Sequence, residues 1–345
     1  MLFRKFNHRR KEKYFQNPLF NTKKKYACIG IGMHSLANIY PLLHHFNISV
    51  KYICTQNNNW SKEAAMLFPE CVFTNDISVI LKDPETEAAF VCASPDAHYG
   101  LVSQLLTAGK KVFVEKPPCA SLSELNALTA INRHSVCKVG LQRRYWPGNK
   151  YVLKQISKAR SYIYQFYFGP YPQGNVFNEL FIHAIDYSAF LFGDYNIISK
   201  TFQKDSEGIT VQLHVKHTDG VVGMIELSTH YSWNDPIECM DIQCENELLT
   251  VKYPMQVTAV QKPKRVLNMP TERLYQKPVI TKSYFSVSNL VMPAFETNTL
   301  ILQGFYNELE TFIKMAESGE SVPNANDLTG LQSVYKILDE LNKIS

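Results

Sequence analysis

From Lys25 to about Gly140 the chain alternates between short apolar runs and segments with helical spacing. Strand-length apolar runs fall at 26–31, 50–55, 88–93, 111–114 and 136–140. Between them, stretches 36–46, 60–68, 98–108 and 121–132 repeat apolar residues every three to four positions, the spacing of one helix face. Continuous apolar strands alternating with amphipathic helices predict a parallel sheet covered on both faces. Ser121 followed by Glu124 reads as a capping box at the start of the last of these helices.

After Trp146 the pattern changes. One helix is predicted over 178–192, and it is apolar nearly all round, so it is expected to be buried. Longer alternating segments follow at 208–217, 221–230, 237–244 and 248–253. They read as antiparallel strands, with an Asp-Gly hairpin turn at His217-Thr218-Asp219-Gly220. Stretch 266–292 carries no regular pattern, and two helices, 300–318 and 327–342, close the chain. The expected fold class is α/β. A first domain built on the parallel sheet is expected, followed by a C-terminal α+β domain with a large open, mostly antiparallel sheet. The expected boundaries are 1–24 for a basic arm, 25–145 for the first domain and 146–345 for the second, with the last helices able to pack back on the first.

Composition narrows the class. The 345 residues carry a net charge of +5. Arg4, Lys5, Arg9, Arg10, Lys11, Lys13, Lys23, Lys24 and Lys25 stand against one acid, Glu12, so the basic arm holds more than the whole excess. It is expected to be a solvated extension, and nothing in the rest suggests a nucleic-acid partner. No apolar run reaches the length of a membrane span. The eight cysteines sit mostly in apolar runs and form no CxxC pair. This predicts free thiols, no metal site and a cytoplasmic location.

The turn YACIGIGMHSLANIY is the first candidate for chemistry. Gly30 stands where a strand turns tightly, and Gly32 where a backbone must approach a pyrophosphate. Met33 and His34 then open a helix whose N-terminal N–H groups suit phosphate. Ser35 replaces the third glycine of the fingerprint. The second strand ends VKYICTQNNNWSK, with no carboxylate between Val50 and Ser61 to hold a ribose diol. Thr55, Gln56, Asn57 and Lys62 offer neutral donors and one cation. Both NADP and NAD fit this reading, and the uncharged loop favours NADP.

Further on, FVCASPDAHYGLVSQLLTAGKKVFVEKPP carries Ser94-Pro95, His98, Gly109-Lys110-Lys111 and Glu115-Lys116-Pro117, and Arg144-Tyr145-Trp146-Pro147 follows. On these residues the chain resembles the glucose–fructose oxidoreductase / inositol dehydrogenase / rhizopine catabolism (Gfo/Idh/MocA) family, from about Lys25 to the closing helices. The resemblance implies that the N-terminal domain is a Rossmann dinucleotide-binding domain, with nicotinamide-dependent chemistry on sugars, polyols or related small molecules. It implies cofactor contacts from Ser94, Pro95, His98, Glu115, Lys116 and Arg144. It also implies that Lys116 lies between nicotinamide and substrate. Tyr145 and Trp146 would offer ring faces to a sugar or pack at the domain seam.

Glu179, His183 and Asp186 fall on one face of the predicted buried helix. Buried ionisable groups are costly unless paired or used. The family pattern there is Asp-x-Gly-x-His-x-x-Asp, so Glu179 replaces the first acid and Phe181 the glycine. The preceding glycine run is reduced to Gly174. This departure resembles branches associated with polysaccharide and modified-sugar gene clusters. Histidine titrates near neutrality, so His183 is the expected acid/base, assisted by Lys116, with Glu179 orienting it or binding a neighbouring hydroxyl. Asp186 is expected as a structural group or a substrate contact.

Together these readings predict an NAD(P)-dependent oxidoreductase for a carbohydrate-like alcohol or carbonyl. Self-association through the open sheet is expected. Two alternatives stay open, an NAD-dependent glycoside-cleaving enzyme with transient oxidation and a non-catalytic cofactor-sensing protein.

Overall fold

The computed structural model describes residues 22, 24–56, 61–131, 135–263, 265–267, 269–271, 279–287, 298–318 and 327–343. The basic arm, Thr22 and Lys24 excepted, and Asn57 with the rest of its loop to residue 60 lie outside them.

The first half alternates as its apolar pattern predicts. In order come β1 (Lys25–Ile29), a wide turn Ser35–Ile39 running into α1 (Tyr40–His45), β2 (Val50–Cys54), α2 (Ser61–Leu67), β3 (Val72–Thr74) and α3 (Ser78–Lys82). Then come β4 (Thr86–Val91), α4 (Pro95–Thr107), β5 (Lys111–Glu115), α5 (Leu122–Ile131) and β6 (Cys137–Gly140). Among the described residues these strands form one parallel six-stranded sheet, ordered β3-β2-β1-β4-β5-β6. This is the doubly wound Rossmann order. It reverses between β1 and β4, which opens a crevice at their carboxyl ends. The three residues of β3 and five of α3 are too short to stand out in a periodicity. At α5 the serine half of the capping box forms, with the Glu124 N–H donating to Ser121 Oγ at 3.3 Å. The Glu124 carboxylate reaches one residue further back than expected, to the Ala120 N–H at 2.7 Å.

The second half holds α6 (Asn149–Gln155), β7 (Ala159–Tyr167) and a second wide turn, Phe177–Phe181, running into α7 (Ile182–Phe192). Among the described residues, seven further strands enter the large sheet: β8 (Tyr195–Lys204), β9 (Ile209–His217), β10 (Val222–Ser228), β11 (Ile237–Cys244), β12 (Glu247–Lys252), β13 (Gln256–Gln261) and β14 (Thr281–Ser286), while Arg265–Val266 and Met269–Pro270 pair as a separate two-stranded ribbon. The seven and β7 make a sheet of eight, ordered β14-β13-β12-β11-β7-β10-β9-β8. Its pairings are antiparallel except β7 with β10. β7 alternates buried Tyr162, Tyr164 and Phe166 with outward residues and lies inside the sheet. Gly220 (φ +89°) turns the β9–β10 hairpin, its N–H donating to His217 O at 3.0 Å. Within the stretch read as irregular, β14 adds an edge strand beside β13.

The chain closes with α8 (Thr299–Leu302), α9 (Phe305–Ser318), α10 (Asp327–Gly330) and α11 (Gln332–Asn342). The helix expected over 300–318 is interrupted at Gly304, whose φ of +97° belongs to no right-handed helix.

Residues 1–142 with 305–332 form one compact unit, and 143–304 with 333–345 the other. In the first, α9 lays Phe312 against Phe90 and Phe113, ring centroids 5.2 and 5.8 Å apart. A buried Lys138–Asp327 ion pair, 2.8 Å, ties α10 to β6. In the second, α11 joins β8 through Lys200–Glu340 at 2.6 Å. Among the described residues, no helix is long and apolar enough to cross a membrane.

Candidate active site

In the first unit Gly30, Gly32, Thr55, Ser94, Pro95, Glu115 and Lys116 lie at or just past the carboxyl ends of β1, β2, β4 and β5. Gly30 has φ +92°, and a Cβ there would lie 2.5 Å from the Ala93 nitrogen, so the turn and the close approach to the segment after β4 both require glycine. Its N–H donates to Cys54 O at 2.8 Å, and its carbonyl accepts the Tyr40 hydroxyl at 2.6 Å. A Cβ on Gly32 would meet nothing within 4 Å. Ser35 does more than pack. Its buried hydroxyl donates to Gly32 O at 3.0 Å and accepts the Gly32 N–H at the same distance. The Ser35 carbonyl then accepts from Tyr40, five residues on, so the helix opens in a wide, π-type turn. Met33, 66 % exposed, and His34 stand at the rim. An open edge at Gly32, a helix opening beside it and a topological switch point fit a dinucleotide pyrophosphate.

The ribose side is less simple. Thr55 is buried and its N–H bonds to Thr74 O at 2.9 Å, while the exposed Gln56 donates to Asn75 O at 2.9 Å. Asp76, an acid the sequence reading passed over, lies close enough to raise the Cys54 thiol pKa, after burial. Its carboxylate is taken up by the Ser78 hydroxyl and N–H, at 2.6 and 2.8 Å, which lower its own pKa.

Ser94 is exposed at the N-cap of α4, and Pro95 is the first helical residue. His98 requires a correction. It was expected to contact the cofactor, but it is 1 % exposed and both ring nitrogens face backbone carbonyls. Nδ1 lies 2.7 Å from Pro117 O and Nε2 2.9 Å from Ala93 O, which leaves neither for a ligand.

Glu115 is buried at the end of β5, 3.5 Å from His34 Nε2, and Lys116 follows half-buried, with a cis peptide to Pro117. A second acid converges on the same place. Glu308 of α9 is 2 % exposed and accepts the Leu141 N–H at 2.5 Å. The Glu115 carboxylate would sit 2.9 Å from a Cβ on the adjacent Gly140. Burial, and then the charge of Glu115, push the Glu308 carboxyl well above its usual range. The signal was legible. Glu308 falls on the stripe formed by Phe305, Leu309 and Phe312, where an acid is out of place.

In the second unit, His183 and Asp186 are buried on α7. Arg144 grips Asp186 with two nitrogens, Nε at 2.9 Å from Oδ2 and Nη2 on Oδ1. Asp186 is thus paired, and Arg144, expected at the cofactor, is held in this unit by that pair. Of the two readings of Trp146, a ring face for a sugar and a packing residue, the geometry matches packing. It is 2 % exposed, donates Nε1–H to Pro254 O at 2.9 Å, and packs edge-on to Tyr253 and Phe285. Its ring faces serve the core of this unit and offer no surface to a sugar. Tyr145 beside it is half-buried. Arg143 pairs bidentately with buried Glu238.

Glu179 lies in the wide turn ahead of α7, where the Ile182 N–H reaches back five residues to Phe177 O. Its Oε1 accepts the Asn175 N–H at 2.7 Å, and its Oε2 accepts the Tyr171 hydroxyl at 2.8 Å. Burial, and then that carboxylate, raise the Tyr171 phenol, so it remains a donor. Gly174, φ +77°, lies so close to the Glu179 carboxylate that any Cβ would collide with it. Asn342 of α11 clasps the same turn through Asn175 and Asn178, at 2.8 and 3.0 Å.

Comparison with known proteins agrees with this fold. The chain is 29% identical over 144 residues to the uncharacterized oxidoreductase YrbE of Bacillus subtilis (strain 168), covering 35% of this chain and 39% of that one. It is 26% identical over 198 residues to the inositol 2-dehydrogenase/D-chiro-inositol 3-dehydrogenase of Lacticaseibacillus casei, covering 53% and 57%. The matches thus span less than two thirds of the length of these curated relatives. A dehydrogenase structure from Chromobacterium violaceum superposes with TM-score 0.77 at 16% identity, over 93% of this chain and 94% of that one. Levoglucosan dehydrogenase in complex with NADH gives 0.74 at 17%, over 93% and 96%. The open conformation of KijD10, a 3-ketoreductase from Actinomadura kijaniata in complex with TDP-benzene and NADP, gives 0.71 at 14%, over 94% and 96%. At these identities the likeness is one of fold. Residues 24–142 match the oxidoreductase family Gfo/Idh/MocA, NAD-binding Rossmann fold, which identifies that segment as the family's Rossmann domain.

Proposed function

We propose that the protein is an NAD(P)-dependent dehydrogenase acting on a secondary alcohol or carbonyl of a sugar, sugar derivative or polyol. One observation carries the reading. The open Gly32 turn lies at the switch point of a 3-2-1-4-5-6 sheet, and Lys116 directly follows β5, the strand next but one, in the same unit. The names of the relatives, an inositol dehydrogenase and a levoglucosan dehydrogenase, support the substrate class.

Bound nicotinamide would supply hydride exchange with the carbinol carbon. The first turn of the helix after Gly32 would hold the pyrophosphate. His183 would take the hydroxyl proton as the alcohol is oxidised and return it in the reverse direction. Lys116 would act as a hydrogen-bond donor that stabilises developing alkoxide. Glu179 would act through its loop, keeping 171–175 closed beside α7. The acid-free loop after β2 favours NADP. The outward face of the eight-stranded sheet exposes Ile163, Met224 and Leu248 and is the proposed surface for self-association, measurable by light scattering. A cytoplasmic location remains part of the proposal.

The test is reduced-nicotinamide absorbance with myo-inositol, D-galactose and UDP-N-acetylglucosamine, each offered with NAD and NADP. Turnover with at least one is expected, falling by about 100- to 10,000-fold in His183→Asn and Lys116→Met. Full turnover in both variants would overturn the assignment of roles.

A further inference from the structure

We propose that His98 is a positioning residue for Lys116, anchoring the carbonyl of the next residue, Pro117. This rests on the reading of Lys116 as a group at the transfer centre. Proline has no N–H, so the carbonyl of Pro117 is its one main-chain hydrogen-bonding group. His98 captures that carbonyl with Nδ1 at 2.7 Å, and with Nε2 it reaches Ala93 O at 2.9 Å, just past the end of β4. One buried ring thus spans the segments that leave β4 and β5. Glu115 and Lys116 are the charged groups that act on it, and they oppose each other.

The chemistry of the ring gives the anchor a proton dependence. Both facing atoms are carbonyl oxygens, which only accept. A neutral imidazole has one N–H and can satisfy one of them, whereas an imidazolium satisfies both. Burial holds the His98 pKa below the ordinary histidine value, against the pull of the two carbonyls. At neutral pH the ring therefore carries a single proton, and the shorter contact, to Pro117, is assigned to it. The second bond forms only as pH falls through the lowered pKa.

The experiment compares the full chain with His98→Met, which fills the space without a donor, and His98→Gln, whose amide can donate to both carbonyls. Lysines are reductively ¹³C-methylated, and the Lys116 signal is identified by its absence in Lys116→Arg. Its shift and titration midpoint are followed by NMR without cofactor. The expected result is a displaced or broadened Lys116 signal in His98→Met and a near-native one in His98→Gln. Turnover should fall about 10- to 100-fold in the first variant only. A Lys116 signal unchanged in a folded His98→Met protein would overturn the inference. So would equal disturbance by both variants. If His98→Met does not fold, His98→Asn, too short to span both carbonyls, takes its place. Turnover that survives Lys116→Met would sink the reading of Lys116 itself, and the NMR outcome for His98 would still be decided separately.

Discussion

The two glycine turns that open α1 and α7 are built alike and used differently. Each precedes a wide turn in which a backbone N–H reaches five residues back, to Ser35 O in one case and Phe177 O in the other. In the first, the space beside Gly32 is open, and the neighbouring side chain, Ser35, folds back on the turn's own backbone. In the second, the space beside Gly174 is filled by the Glu179 carboxylate, held by the Asn175 N–H and the Tyr171 hydroxyl. One turn is left vacant by its own chain, and the other is closed by it. An open backbone turn at a helix start can receive an anion, whereas a turn already filled by a carboxylate would repel one.

Substitutions can break that comparison. The largest effect is expected at Gly174→Ala, which combines a positive φ with a collision against Glu179. A loss of about 3 kcal/mol in urea unfolding is predicted, from left-handed strain plus overpacking. Glu179→Ala removes the clasp and leaves the Tyr171 hydroxyl and the Asn175 N–H without their acceptor, at a cost of about 1–3 kcal/mol. Gly32→Ala should change stability by less than about 0.5 kcal/mol, because its Cβ meets only open space. A loss comparable with that of Gly174→Ala would show that the first turn is filled as well.

The smallest effect concerns the acid beneath the first turn. The Glu308 pKa is raised in the folded chain, so its favourable contribution is complete below the ordinary carboxyl range and is lost as pH rises toward the raised value. Glu308→Gln should therefore flatten the pH dependence of unfolding and be the more stable protein at the alkaline end. A steeper fall with pH in the variant would reverse the assigned direction of the shift.

The same comparison explains what the sequence made legible. The first turn is a local backbone device, so Gly30, Gly32 and the flanking strand and helix could be read from spacing alone. The alternation of runs likewise predicted the parallel sheet, except for the three-residue β3 and the short α3. The second turn depends on partners distant in sequence. Asn342 lies 167 positions from Asn175. Spacing carries no record of such pairings. His98 and Trp146 show the limit from the other side. Their types suit a ligand site, yet burial and hydrogen bonds to backbone carbonyls turn both inward.

The central claim is that the turn at Gly32 holds a dinucleotide. Its most direct test is a fluorescence titration of NADPH and NADH against the native chain and Gly32→Asp, which sets a carboxylate in the open space. Saturable binding by the native chain, tighter for NADPH, and at least a tenfold loss in the variant are predicted, the latter about 1.4 kcal/mol. Equal affinity of the two proteins, or no binding by the native chain, would contradict it.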